Sequence, residues 1–193
     1  NVDDAIVQAL FQYASRCEAA GHADVAARAY GLFAQRTEGS PYHTRAMLKQ
    51  AEMLALAGDV DGAIARYLEL SSGGNIEAVE ALLHVARLQA QTLGEPAAAL
   101  STLAALGGNL AISSVSALAI SGVNALAISG VSVSNGELQR QLLSLRADCR
   151  LRLDDLEGAA AEWRLLAADP VGLGAAEFGL AEVAFFAARF DTA

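Results

Sequence analysis

The chain has 193 residues, with 13 Lys and Arg against 22 Asp and Glu, for a formal net charge of −9 at pH 7. Apolar residues make up 54% of it, which excludes a disordered chain. The acidic balance argues against a nucleic-acid binder, which needs a basic stripe to neutralise phosphates. Abundant Ala and only three Pro favour closely packed helices, in one ordinary domain or a run of small repeats.

No basic–apolar run of the signal-peptide type opens the chain at Asn1. From there one set of columns recurs. Ala14 is followed by Gly21, Ala26, Tyr30 and Phe33, and Ala51 by Gly58, Ala63, Tyr67 and Leu70 at the same offsets. Ala86, Gly94, Ala99, Leu103 and Leu106 follow with one extra residue before the glycine. Ala147, Asp154, Ala159, Trp163 and Leu166 form a fourth copy, and Ala181, Ala188 and Ala193 begin a fifth.

Each column has a physical reason. The apolar residues before each turn, such as Met47, Leu48, Ala51, Leu54 and Ala55, fall at helical spacing. Glycine at the marker can take a positive φ and close the first helix. The acidic residue beside it caps the next helix. The small Ala lets two backbones approach, and the aromatic fills the gap to the next pair. One unit is therefore a helix hairpin whose apolar face needs a neighbour, and stacking buries a continuous core.

These columns, best seen in 46-AMLKQAEMLALAGDVDGAIARYLEL-70, resemble the tetratricopeptide repeat (TPR) family. The resemblance covers most of the chain. It lacks the early Trp and Leu-Gly of that family, and its first two spacings, 37 and 36 residues, exceed the usual 34. The fold it implies is an all-α solenoid of stacked helix hairpins.

The turn markers at 21, 58, 94, 154 and 188 leave one gap of 60 residues, which holds a different repeat: 110-LAISSVSA, 118-LAISGVNA and 126-LAISGVSV. No charged residue occurs from Pro96 to Gly136. The large apolar side chains drift round a helix by about 80° per octad and make no stripe. Ser-Gly pairs at 121–122 and 129–130 and Asn135-Gly136 are turn chemistry. A short β-meander or an irregular loop is the first reading of this insertion, and a membrane-associated segment is the second. The expected organisation is 1–108 as repeats 1–3, 109–136 as the octad insertion and 137–193 as repeats 4–5. Ala181–Ala193 reads as a helix, a turn and the first residue of another helix, so a piece of a longer protein is expected.

Reactive constellations are sparse. Cys17 and Cys149 stand outside any CxxC or Cys/His cluster and read as small core residues. His22 and His43 read as solvated, and His84 as a core or groove residue rather than a ligand. No HExxH, GxSxG or P-loop occurs. The run 172-GLGAAEFG-179 superficially matches a dinucleotide fingerprint but reads better as helix packing. No catalytic residue, metal site or cofactor is expected, and an enzyme would need a catalytic domain elsewhere. The compartment is left open between a bacterial cytoplasm and a periplasm or cell envelope.

The TPR resemblance implies that the first helix of each pair lines a concave, partner-binding face. Carried over repeat by repeat, it points to Phe11, Ser15 and Glu18, then Arg45, Leu48, Glu52 and Ala55, then Leu83 and Arg87. Gln141, Ser144, Asp148 and Arg152 follow, then Phe178, Glu182 and Phe185. The expected function is non-catalytic: a scaffold that docks a protein or peptide partner, or neighbouring subunits of an assembly. The alternative is a component that contacts a bilayer through 109–136.

Overall fold

The computed structural model describes residues 2–72, 76–109 and 135–190. Among the described residues there are nine α-helices and no strand. They are α1 (Val2–Ala19), α2 (Ala23–Arg36), α3 (Pro41–Leu56), α4 (Val60–Ser71), α5 (Ile76–Arg87), α6 (Pro96–Asn109), α7 (Asn135–Arg152), α8 (Leu156–Ala167) and α9 (Leu173–Phe190). A π-helical turn, Leu88–Thr92, follows α5. The octads at 110–133, expected as β or irregular structure, lie outside the described residues. Asn135-Gly136, read as turn chemistry, instead opens α7.

The repeat marker is a helix stop, and its hydrogen bonds show why. Gly21 and Gly58 take φ of +76° and +87°, and Asp154 takes φ of +59°. In each case the marker N–H bonds the carbonyl three residues back: Glu18, Ala55 and Leu151. The following N–H bonds the carbonyl five residues back: Cys17, Leu54 and Arg150. This pair of bonds is the Schellman motif, which needs a left-handed residue and satisfies the last carbonyls of the first helix. In the second and fourth copies the next residue then caps the second helix with its side chain, whereas His22 in the first does not. Asp59 Oδ1 accepts from Gly62 N at 3.0 Å, and Asp155 Oδ1 from Gly158 N at 2.9 Å. A Cβ on either glycine would run into that aspartate side chain.

The third copy carries its extra residue visibly. There the closing bond runs from Glu95 N to Gln89 O at 2.8 Å, six residues back instead of five. The added residue is absorbed in the π turn, whose wider ring accommodates a one-residue insertion. Two side chains brace it: Arg152 Nη1 donates to Ala90 O at 2.8 Å, and Thr102 Oγ1 donates to Gln89 Oε1 at 2.8 Å.

The chain divides into two compact units, Asn1–Leu88 and Gln89–Ala193. In the first, each of α1 to α4 packs on the next helix. One cluster joins Phe33 and Ala34, Ala46, Met47 and Ala51, Ala63, Tyr67 and Leu70, and Ala81 and Val85, with Val7 and Leu10 of α1 against it. A second seats Tyr30 among Ala14, Cys17, Ala26, Ala27, Ala29 and Met53. In the second unit α6 packs on α7, α7 on α8, α8 on α9, and α7 also meets α9. Trp163 is the centre there, among Ala147, Ala159, Ala160, Leu166, Ala176 and Val183. The two small columns, Ala14, Ala51, Ala86 and Ala147 in first helices and Ala26, Ala63, Ala99 and Ala159 in second helices, are all fully buried. Removing that surface is worth about 0.8 kcal/mol per methylene-sized group, and more for each aromatic packed on it.

The fifth copy departs from its expected register. α9 continues to Phe190 with no turn at 188, and Ala181 is exposed. Its inward face is that of Ala176, Gly179 and Val183. The reason is Trp163: its indole lies where a Cβ on Gly179 would stand, so the helix turns glycine rather than Ala181 inward. Gly172 likewise packs on Leu166, whereas Gly174 meets nothing, so two of the three glycines of 172–179 serve packing. Among the described residues no helix is long and apolar enough to cross a membrane.

Candidate functional site

The first helices of the N-terminal unit, α1, α3 and α5, share a polar face whose floor is made by two tyrosines of the second helices. Tyr30 and Tyr67 stand one repeat apart, four residues after the buried Ala26 and Ala63, and both rings are buried. Four residues is one helical turn, so the ring rises from the Ala–helix contact toward the first-helix face.

At the first position the hydroxyl is fully used. Tyr30 donates to Glu18 Oε2 at 2.6 Å and lies 3.3 Å from Ser15 Oγ. Lys49 Nζ of α3 bonds Glu18 Oε1 at 3.0 Å and Glu52 Oε2 at 2.8 Å. Three helices are thereby tied by one half-buried network. Burial works against the charge on Glu18, but the Tyr30 hydroxyl and Lys49 hold its carboxyl below the ordinary value. Burial likewise opposes the Lys49 charge, and Glu52 and Glu18 raise its pKa above normal. Burial, then Glu18, pushes the Tyr30 phenol up.

At the second position the surroundings differ. His84 of α5 stacks on Tyr67, with ring centroids 5.0 Å apart and planes at 4°. Burial, then Arg87, holds the His84 imidazole below its usual pKa, so it is a neutral ring at pH 7. Tyr67 is pushed up by burial and then by Glu52 and Glu80. Glu80 is itself raised, by burial first and then by Glu52 and Glu77, with Lys49 opposing.

The sequence-derived positions meet this geometry unevenly. Ser15, Glu18 and Glu52 lie in the network. Phe11 instead covers the core edge, with its ring centroid 6.1 Å from Tyr30 and 5.3 Å from Phe33. Leu48 and Ala55 are half-buried against the core, and Arg45 is exposed. Arg87 is half-buried beside His84. Leu83 is not a groove residue: it is 3% exposed, because it points inward on α5. His43, read as solvated, is half-buried, with Nδ1 3.0 Å from Ala34 O.

In the C-terminal unit α7 and α9 present the remaining positions. Gln141 Nε2 donates to Glu137 Oε1 at 2.9 Å, and Ser144 Oγ to Gln141 O at 3.1 Å, both within α7. Arg152 is occupied by the Ala90 carbonyl. Asp148 and Glu182 are brought together: burial, then Glu182, raises the Asp148 carboxyl, with Arg152 opposing. Phe178 and Phe185 stand about two turns apart on α9, 73% and 60% exposed. Cys17 and Cys149 are free and buried.

Lys49 and Glu80 are members of the face that the column pattern missed, as are the hydroxyls of Tyr30 and Tyr67, which read as gap-fillers; His84 reads from the sequence as a core or groove residue. A signal for them existed. Glu80, His84 and Arg87 fall at i, i+4 and i+7, one face of α5. Among the described residues no group of three or more His, Cys, Asp or Glu is placed to hold a metal ion. A small hollow of about 220 Å³ beside α7 is lined by Arg140, Leu143, Leu165 and Asp169 among others. Its Arg140 is already paired with Glu137 and Asp169 at 2.7 Å each. No family model, curated protein or solved structure matches the chain.

Proposed function

We propose that the chain is a non-catalytic, TPR-like scaffold that binds a partner protein through the faces formed by the first helices of its hairpins. The observation that supports this most is the half-buried polar network on α1, α2 and α3. Charged groups there are partly desolvated at a cost, although ordinary surface positions were open to them. Such a face is pre-organised: Lys49, Glu18 and Tyr30 hold one another in place before any partner arrives, which lowers the ordering cost of binding. The exposed Phe178 and Phe185 on α9 add apolar anchors of the kind that dominate interface energetics.

The test is affinity capture from the native source followed by mass spectrometry, with three baits. The intact chain should capture a partner. Glu18→Ala with Lys49→Ala should lose it. Arg28→Ala with Arg66→Ala, on the second helices, should keep it. Capture that ignores the first-helix face would overturn the reading. Bilayer contact through 109–136 remains the second reading, supported by the uncharged octads alone. It predicts co-flotation of the intact chain with vesicles and loss of flotation when Leu110–Ser134 is removed.

A further inference from the structure

We propose that the outward face of α9 is a self-association surface, on which α9 of a second copy of the chain lies antiparallel. The inference rests on the α9 part of the scaffold reading and names the occupant there.

The first support is the pattern. Gly174, Phe178, Ala181, Phe185 and Ala188 recur at alternating intervals of four and three residues, and all five are exposed. They form one stripe along the helix, opposite the face of Ala176, Gly179 and Val183 that packs on Trp163. An apolar stripe that repeats every 3.5 residues is the seam of a helix pair. The outward faces of α2 and α4 are built differently, with the ion pairs Asp24–Arg28 and Arg66–Glu69 in water. On α9 the charged residues whose side chains are described are Glu177 and Glu182, one on each flank of the stripe.

The second support is the fit of the stripe to itself. Small and large side chains alternate along it. An antiparallel second copy that sets Phe178 opposite Ala181 also sets Phe185 opposite Gly174, so each ring enters the hole left by a small residue. Each pair then occurs twice, as a two-fold interface requires. In that register Glu177 falls near Ala184 of the second copy and Glu182 near Ala175, so no two carboxylates meet. A parallel pairing would set ring against ring and leave voids between the small residues.

The third support is area. With Phe178 73% and Phe185 60% exposed, the four rings of a pair bring roughly 500 Å² to the contact. Leu173 and the exposed alanines raise the total to about 1,000 Å², the lower bound for a specific interface. A dimer of this size is weak, with a dissociation constant on the order of 10 μM.

The test is sedimentation velocity of the full chain over concentrations that span this value. The parent should pass from monomer to dimer. Phe178→Ala and Phe185→Ala should each weaken the dimer at least about tenfold and keep the parent's melting temperature, because both rings are exposed. Ala181→Phe should block association. Phe178→Ala combined with Ala181→Phe should restore it, since every pair again holds one ring and one small residue. Leu32→Ala, an exposed apolar residue of α2, should change nothing. Added salt should strengthen the dimer by screening the −9 of each copy. A chain that stays monomeric, a dimer indifferent to the two alanine variants, or one that weakens in salt overturns the inference. A double variant that does not recover overturns the antiparallel register. A monomeric chain whose captured partner is lost in Phe178→Ala with Phe185→Ala gives the face to another protein and overturns the second copy as its occupant. The scaffold reading falls only if capture ignores Glu18 and Lys49.

Discussion

Tyr30 and Tyr67 occupy the same column of the same repeat, equally buried, yet they do different work. Tyr30 donates a hydrogen bond to Glu18 and so joins α2 to the α1–α3 network. Tyr67 meets an Ala where Tyr30 meets that carboxylate, and is covered by a stacked histidine instead. The ring's burial stabilises both copies alike, since area removed from water does not depend on what the hydroxyl does. The hydroxyl is where the copies diverge. A repeat can thus keep its packing columns fixed while its first-helix residues give one tyrosine hydroxyl a carboxylate and the next tyrosine ring a stacked histidine.

The largest expected effects test the shared packing. Trp163, in the same column of the fourth copy, fills the space over Gly179, and Trp163→Ala should cost about 3–5 kcal/mol in chemical denaturation. Ala26→Phe and Ala63→Phe, which force a ring into the fully buried helix contact beneath each tyrosine, should each cost about 1–3 kcal/mol. If one copy tolerates the ring and the other does not, the two are not packed alike. A smaller effect isolates the hydroxyls. Tyr30→Phe removes a short bond to a carboxylate and should cost about 1.5–3 kcal/mol, whereas Tyr67→Phe removes no hydrogen bond and should be near neutral. Equal losses would end the distinction between the two tyrosines.

How much of this was legible follows from what each column encodes. Helix stops were readable because a Schellman turn demands a left-handed residue, so Gly21, Gly58 and even Asp154 mark it in the one-dimensional pattern. The one-residue excess in the third copy was readable as a number, though its form as a π turn at Leu88–Thr92 was not. Small and aromatic columns were readable because burial constrains size. The network on α1, α2 and α3 was only half readable. Glu18 and Glu52 stood at family positions, but Lys49 sits between columns, and its 31-residue reach to Glu18 is a tertiary fact. Ala181 misled because Ala is common throughout α9, and the residue that decides its phase, Trp163, lies on another helix.

The smallest expected effect separates the two tyrosine neighbourhoods by pH. The Glu18 carboxyl is held below its ordinary value, so its contribution to stability is present above the unfolded pKa, near 4.5, and is lost as the pH falls through the folded value. The Glu80 carboxyl is raised, so the sign reverses: the folded chain pays to ionise it, and that cost is relieved as the pH falls from the raised value toward 4.5. Glu80→Gln should therefore raise the melting temperature slightly at pH 7, and the gain should shrink as the pH approaches 4.5. Glu18→Gln should lower the melting temperature at pH 7 and converge with the parent at low pH. His84 faces Tyr67, Arg87 and Glu52, and its depressed pKa makes acidification below about 6.5 destabilising in the parent and in both variants, so it cancels from the comparison. A Glu80→Gln variant that melts lower at pH 7 would mean that Glu80 is neutralised by a cation of this chain, and its contribution would then carry the same sign as that of Glu18.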